Sequence, residues 1–565
     1  MEASNEWSPR YEAALVDVDD AGAAFGPVPL LLGVVGHRQL PRDVDRLKSV
    51  VRDLLLGFRR RYPSTRIVVL SALAEGADRL VAREALDAGF SLVVPIPMER
   101  AEYEKDFATA ESLDEFRALL ARAESWFVVP PADGDTVPVS RASLYANCGA
   151  YIARRCVELI ALWDGEDSPL GGTANVVSFQ LEGIPAPYVP GHRAFDPSLC
   201  GPVVHVMTPR AASGDAAAFE ITIRYPPSAL VDPAEAYRRA EYDIERFNHD
   251  ASRGVFAQRV LGLPIRRQAE ELANAYQRRT TRALTAISAS VFLAVIAFNL
   301  YVTVGAHPPS LLLAYAVFTA AAFLPYLASR RGEWQLRYQD YRALEQVLQT
   351  GEYWRMAGVD RSVASEFAKS ERTKVDWIAI ALSAITEPFG AAPPPPEEIS
   401  ATSLERLYEE WVLGQYRYFT ELAGRRERFR ERLSSRIVAA AVVFSIALTI
   451  GSRIGLSVDS SSGFFNGTMN VVLLVATILA VVAALVHDYA EKRGWSEHCR
   501  HYELMAALFG YAAARVAPLL RRPDPDSAAV TRVRAILITL GEEAIRENLA
   551  WLNLHRSRPL NVPRV

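Results

Sequence analysis

PLLLGVVGHRQLP, residues 29–41, decides the fold of the first half of this chain. PLLLGVV (29–35) is a continuous apolar run, which suits a strand covered on both faces of a parallel sheet. It runs into Gly36, His37 and Arg38. After Pro41, the residues Leu47, Val50, Val51, Leu54, Leu55 and Phe58 recur at helical spacing. Further apolar runs stand at RIVVLSAL (66–73), SLVVPIP (91–97), SWFVVPP (125–131) and VELIALWDG (157–165), with amphipathic stretches between them. VVHVMTP (203–209) and EITIRYP (220–226) read as edge strands. This alternation predicts an α/β domain over residues 28–230, after an N-terminal extension at 1–27.

In an open parallel sheet, ligands bind where strands end and helices begin. Three such junctions carry the residues of an anion pocket. At the first, GVVGHR, Gly33 and Gly36 would let backbone N–H groups approach a phosphate, and His37 and Arg38 would add donors. The second, Glu75-Gly76-Ala77-Asp78, opens a helix; Asp78 reads as a partner for a ribose hydroxyl or as a plain N-cap. At the third, WDGEDSPLGGTANVV (163–177), the candidates are Asp164, Gly171, Gly172, Thr173 and Asn175. A glycine pair in one turn is common, and three such turns on one sheet edge are far more specific.

Composition narrows the classes. At 565 residues the chain exceeds one ordinary core, and half of it is hydrophobic. A net charge of −4 offers no basic surface for nucleic acid. The four cysteines, Cys148, Cys156, Cys200 and Cys499, form no CxxC pair, which suits a reducing compartment. The polar, acidic start reads as no signal peptide. His487, His498, Cys499 and His501 match no zinc spacing, so no metal is read there. No catalytic set and no resident cofactor are read anywhere.

Four stretches are long and apolar enough to span a bilayer: 283–304, 310–328, 437–456 and 466–486. LTAISASVFLAVIAFNLYVTV alone holds eleven Leu, Ile, Phe or Val residues and no charge. Its insertion is favoured by about 3–7 kcal/mol. Arginines crowd before the first and third spans and basic pairs follow the second and fourth, so both termini are predicted to be cytoplasmic, in a multi-pass cell-membrane protein. The hairpins read as copies, since aligning Trp334 with Trp495 also aligns Tyr341 with Tyr502. The predicted order is a helical coupling segment at 231–265, solvated and charged over 232–254, and a first two-span unit at 266–390. A Pro-rich linker at 391–400 and a second two-span unit at 401–565 complete it. No span has a charge near its centre, which argues against a transporter. Asn299, Thr303, Ser445 and Thr449 are the candidates to line a pore, or they bond their own backbone.

GVVGHR, LAEGAD-x-x-VA, the PxxxxEYEKDF stretch (97–107) and LIALWDG…GGTANVV, in this order, resemble the SLOG superfamily. That group unites LOG phosphoribohydrolases, DNA-processing DprA proteins and ligand-sensing domains of melastatin-type TRP channels. The resemblance covers about residues 28–226 and implies a Rossmann-like fold. The paired spans resemble SLATT domains, two-span effectors associated with SLOG sensors in bacterial conflict systems. Together these imply that a nucleotide or NAD-derived signal gates or assembles an oligomeric membrane pore, in antiviral defence. One departure bears on chemistry: LOG enzymes place a catalytic Glu three residues after the Thr of their loop, and Val176 stands there in this chain. A membrane-anchored nucleotide hydrolase and a membrane scaffold for a partner enzyme are the alternatives.

Overall fold

The computed structural model describes residues 25–130, 140–188, 200–209, 219–227, 232–303, 307–359, 361–370, 375–386, 389, 401–458, 463–520 and 527–556. The predicted linker at 391–400 lies outside them. The chain divides into two units. One is Met1–Gln268 with Ser362–Pro393, and the other is Ala269–Arg361 with Pro394–Val565.

The first unit is α/β. Its strands are β1 (Leu30–Gly36), β2 (Ile67–Leu70), β3 (Ser91–Ile96), β4 (Ser125–Val128), β5 (Glu158–Trp163), β6 (Val203–Met207) and β7 (Ile221–Arg224). They form one sheet in the order β4-β3-β2-β1-β5-β6-β7. All neighbours are parallel except β7, which runs antiparallel to β6. The helices are α1 (Val44–Arg61), α2 (Ala77–Asp87), α3 (Arg100–Tyr103), α4 (Ala110–Arg122), α5 (Arg141–Arg155) and α6 (Thr173–Glu182).

The pleat explains why β1 is apolar throughout. Leu30, Leu32 and Val34 face the layer built from α1, α2 and α4, around Leu47, Leu80 and Phe116. Leu31 and Val35 face the layer of α5 and α6, around Cys148, Ile152 and Phe179. Both faces are dry, so no alternation of polar residues is possible.

α7 (Pro233–Ser252) closes the opposite end of the sheet from the loops discussed below. Asn248 accepts from the Val28 amide at 3.0 Å and donates to the Val28 carbonyl at 2.7 Å, just ahead of β1. Glu245 accepts from the Ser64 amide at 2.9 Å and the Thr65 hydroxyl at 2.6 Å, just ahead of β2. The solvated helix predicted for 232–254 is thus corrected. Glu241, Asp243, Arg246, Asn248 and Asp250 are buried, because they pair with one another or satisfy strand ends; Arg246 meets Asp243 at 2.9 Å. α8 (Ala257–Val260) follows.

Two helices from between the hairpins belong to this unit, α12 (Val363–Ser370) and α13 (Trp377–Thr386). Arg155 at the end of α5 donates to the Ser383 carbonyl at 3.1 Å, and Trp377 packs on Phe247 of α7 at 5.8 Å. The sequence reading carried the first two-span unit to residue 390. The structure groups Ser362–Pro393 with the sheet instead. Trp377–Thr386 is apolar but too short to span a bilayer, so it buries its side chains against protein.

The second unit is helical. α9 (Ile265–Thr303) and α10 (Pro309–Arg331) form the first hairpin, followed by α11 (Trp334–Met356). α14 (Ala401–Leu407) and α15 (Gly414–Arg417) alternate with π-helical turns at Tyr408–Leu413 and Tyr418–Leu422. α16 (Ala423–Val458) and α17 (Gly463–Lys492) form the second hairpin, followed by α18 (Trp495–Leu520) and α19 (Ser527–Arg556). α9, α10 and the helical runs holding α16 and α17 are long and apolar enough to cross a membrane. Their surfaces expose large apolar groups, such as Leu313, Leu324, Val443 and Phe444. Water would make that surface costly, and lipid would not. After each hairpin the helix restarts at a tryptophan, Trp334 or Trp495, so the aligned residues hold equivalent positions.

Of the pore candidates, Asn299, Thr303 and Thr449 bond carbonyls four residues back in their own helices, at 2.8, 2.6 and 2.8 Å. Ser445 donates instead to the Ala476 carbonyl at 2.8 Å, tying α16 to α17. Beyond the spans, α11, α18 and α19 pack around Tyr341, Leu344, Phe509, Leu537 and Leu552. Trp354 donates to the Leu537 carbonyl at 3.1 Å, and a Cβ on Gly541 would fall 2.3 Å from its indole nitrogen. Gly541→Val is therefore expected to destabilise this bundle by about 1–3 kcal/mol. A lowered melting temperature of the purified chain would show it, and an unchanged one contradicts the packing.

Candidate functional site

Strand order reverses between β1 and β5, and the loops that leave these two strands diverge to opposite faces. In open parallel sheets such a reversal is the place where a crevice forms at the carboxyl ends of the strands. The β1 and β5 loops are tied across it. The Asp164 amide donates to His37 Nε2 at 3.1 Å, and the Asp164 carboxylate stands 3.2 Å from the same nitrogen. The His37 amide donates to the Leu162 carbonyl at 3.1 Å.

The β2 loop joins from the other side. The Ala77 amide donates to the His37 carbonyl at 3.0 Å. Gly76 has φ +84°, and a Cβ there would lie 2.3 Å from the Arg38 carbonyl oxygen. Only glycine allows that backbone and that approach together. Glu75 is half-buried and accepts from the Ser112 hydroxyl. Beneath the loop lies Arg79, almost wholly buried. It donates to the Leu73 carbonyl at 3.0 Å and the Ser112 carbonyl at 2.7 Å, and it stacks on Phe107 at 4.4 Å. Leu73 itself takes a left-handed backbone (φ +56°), which this set of bonds holds in place.

The third loop approaches through α5. Gly171 has φ +83° and sits against Tyr145: a Cβ would fall 2.7 Å from the Tyr145 Cβ and 2.8 Å from the Ala142 carbonyl. The Tyr145 ring lies 5.6 Å from the Arg38 guanidinium. Its hydroxyl is buried with no hydrogen-bond partner among the described residues. The loop braces itself, since the Gly171 amide donates to Asn175 Oδ1 at 2.9 Å and the Ala174 amide to Ser168 Oγ at 3.0 Å. Gly172 caps α6, and Thr173 is half-buried in its first turn.

The three junctions therefore stand on one edge, with Arg38 and Tyr145 between them. Arg38 is half-exposed and 3.6 Å from Asp106, which also pairs with Arg141. Sequence reasoning missed Asp106, Arg141 and Tyr145 as site residues. The charged EYEKDF run after β3 was the available signal for Asp106, and nothing marks Tyr145.

Two predicted positions lie elsewhere. Gly33 is buried inside β1, where a Cβ would meet Cys156 Sγ at 2.7 Å. Its small size lets α5 close on the sheet, and it offers no amide to a ligand in the crevice. Asp78 is buried, and the Ser71 hydroxyl donates to its main-chain carbonyl at 3.5 Å. Val176 packs on Gly149 of α5 in the core, so that position presents no group to the crevice.

No family model matches the chain, and no curated protein matches it in sequence.

Burial raises the Asp78 carboxyl to about 7, against the opposing pull of the Ala74 amide, Arg38, Arg79 and Ser71. The folded chain thus holds this proton more tightly than the unfolded one, whose value is 3.8. The stability tied to that proton is complete below pH ~4 and is lost as pH rises through about 7, by on the order of 4 kcal/mol. Asp78→Asn is expected to shrink the fall in melting temperature between pH 5 and pH 8. An undiminished fall would contradict this burial.

Proposed function

We propose that the α/β unit is a SLOG-type, Rossmann-like sensor that binds a nucleotide or NAD-derived signal, and that occupancy gates or assembles the transmembrane hairpins. The observation that carries this reading is the meeting of three braced loops around Arg38 and Tyr145 at the reversal of strand order. A guanidinium on such an edge suits a phosphate, and a flat aromatic ring suits a base or sugar.

The path of the chain supplies the coupling. It leaves the α/β unit after Gln268, makes the first hairpin, returns at Ser362–Pro393, and leaves again for the second. The returning segment holds α5 through Arg155 and Ser383, and α5 carries Tyr145 at its other end. A ligand that draws Tyr145 toward Arg38 acts on the helix to which the link between the hairpins is bonded. A tenfold bias between two states needs about 1.4 kcal/mol, within reach of a few charge-assisted hydrogen bonds.

In this reading the protein is a homo-oligomer in the cell membrane, with the sensor, both ends and the Arg-rich flanks in the cytoplasm. Its hairpins are SLATT-like effectors of antiviral defence. Catalysis is not part of the reading, because Val176 lies in the core and Asp78 is buried.

The test is flux from liposomes holding the full chain, challenged with NAD, ADP-ribose and mono- and cyclic nucleotides. One of these should release a trapped ion or dye. Gly171→Val, which forces a side chain into Tyr145, should remove the response while membrane insertion persists. A response undiminished in that variant would mean the crevice is not the sensor, and release of free base or nicotinamide would make the chain a hydrolase.

A further inference from the structure

Three elements of the α/β unit meet at the amino end of β5, on the side of the sheet away from the three loops. α1 ends in Arg61 and is capped by Tyr62, β5 starts at Glu158, and α7 brings Glu241. Glu158 is 7% exposed, Tyr62 4% and Glu241 1%. The Tyr62 hydroxyl donates to Glu241 Oε2. Glu241 Oε1 is buried with no hydrogen-bond partner among the described residues. The charges that act on Glu158 are Glu241 first and then Arg61.

Two neighbouring carboxyl groups in a dry site repel strongly when both are ionised, and an ionised carboxylate can only accept. The donor that Glu241 Oε1 lacks is present when Glu158 keeps its proton. Burial, and then Glu241, hold the Glu158 carboxyl well above its ordinary range, against the pull of Arg61. The other groups around the pair do not relieve it. Tyr62 is engaged with Oε2, and Cys156 and Tyr225 feel Glu158 as neutral groups, because burial raises both. Arg238 and Asp232 act on Tyr225. Along α7, Glu245 is taken up by Ser64 and Thr65, and Asp243 by Arg239 and Arg246.

We propose that one proton shared by Glu158 and Glu241 is a clasp that fastens α7 to the sheet, and that its release with rising pH frees this stretch of α7. The chain continues from α7 through α8 into α9, the first membrane-length helix, so the clasp lies on the path to the membrane. It does not depend on any ligand at the three loops. Once freed, Glu158 returns to the ordinary value of 4.5 and gives up the proton that docking holds. The stability tied to the clasp is therefore complete below pH ~4.5. Above that, the ratio of docked to free α7 falls about tenfold for each pH unit until the raised value is passed.

The test is amide exchange at residues 240–244 of the full chain in bilayer discs, read as protection factors so that the intrinsic rise of exchange with pH drops out. Between about pH 5.5 and about pH 7.5, wild-type protection should fall about tenfold per pH unit. Glu158→Gln carries an amide that donates to Glu241 and has no proton to lose. In it, protection should stay within about twofold over the same range. Asp78→Asn, at the other end of the sheet, should keep the wild-type slope. If Glu158→Gln melts abnormally, Glu241→Gln, whose amide donates to an ionised Glu158, takes its place with the same flattening expected. Wild-type protection that does not fall, an unchanged slope in the glutamine variant, or an equal flattening in Asp78→Asn would each overturn the clasp.

Discussion

The parallel pairing of β1 with β5 is the constraint from which the α/β unit follows. Leu32–Gly36 lie in register with Glu158–Leu162, and the chain reverses its order of strands across that seam. The seam places His37 beside Asp164, and the bond between them fixes how far apart the two loops stand. Gly76 closes on the Arg38 carbonyl from the neighbouring strand, and Gly171 closes on Tyr145 from the far face. Each is a point of backbone contact that a side chain would prevent. The meeting of the loops is thus a product of strand order and of two glycines at positive φ, with the charged groups added beside them.

Buried charge also lies under the β2 loop, in Asp78 and Arg79. Arg79 would be costly in a dry core if it lacked partners, and it finds them in the Leu73 and Ser112 carbonyls and Glu115. These partners lie on both the β2 loop and α4, so the cation fastens one to the other. Asp78, one residue earlier, is held near neutrality by its burial. The β2 loop therefore rests on a bonded floor, and Arg38 is the half-exposed cation above it.

Much of this was legible in the sequence, for reasons that differ by element. Four inner strands, β1, β2, β3 and β5, announce themselves as apolar runs because both faces are covered, whereas β6, read as an edge strand, lies inside the sheet and β4 stands at its edge. The four membrane-length helices do so because lipid tolerates no charge along them. The loops were legible as glycine clusters at strand ends, but Gly33 shows the limit. A glycine that admits a helix onto a sheet has the same letter as one that admits a phosphate, and only α5 distinguishes them. Asp78 was misread for a similar reason, since a helix-opening acid can face out to a ligand or be buried. The burial of 232–254 and the return of 362–393 to the sheet are products of tertiary pairing, and charge content alone reads as solvation. Tyr145 follows no motif and reaches the site only through the packing of Gly171.

Hydrogen exchange on the full chain in a bilayer disc, with and without the same nucleotides, addresses the central claim most directly. The account predicts that one nucleotide slows exchange at 36–38, 74–78 and 164–175 together, because these segments hold one guest. Slowing confined to a single segment, or protection appearing instead near Ser64 and Thr65 at the opposite edge, would contradict it.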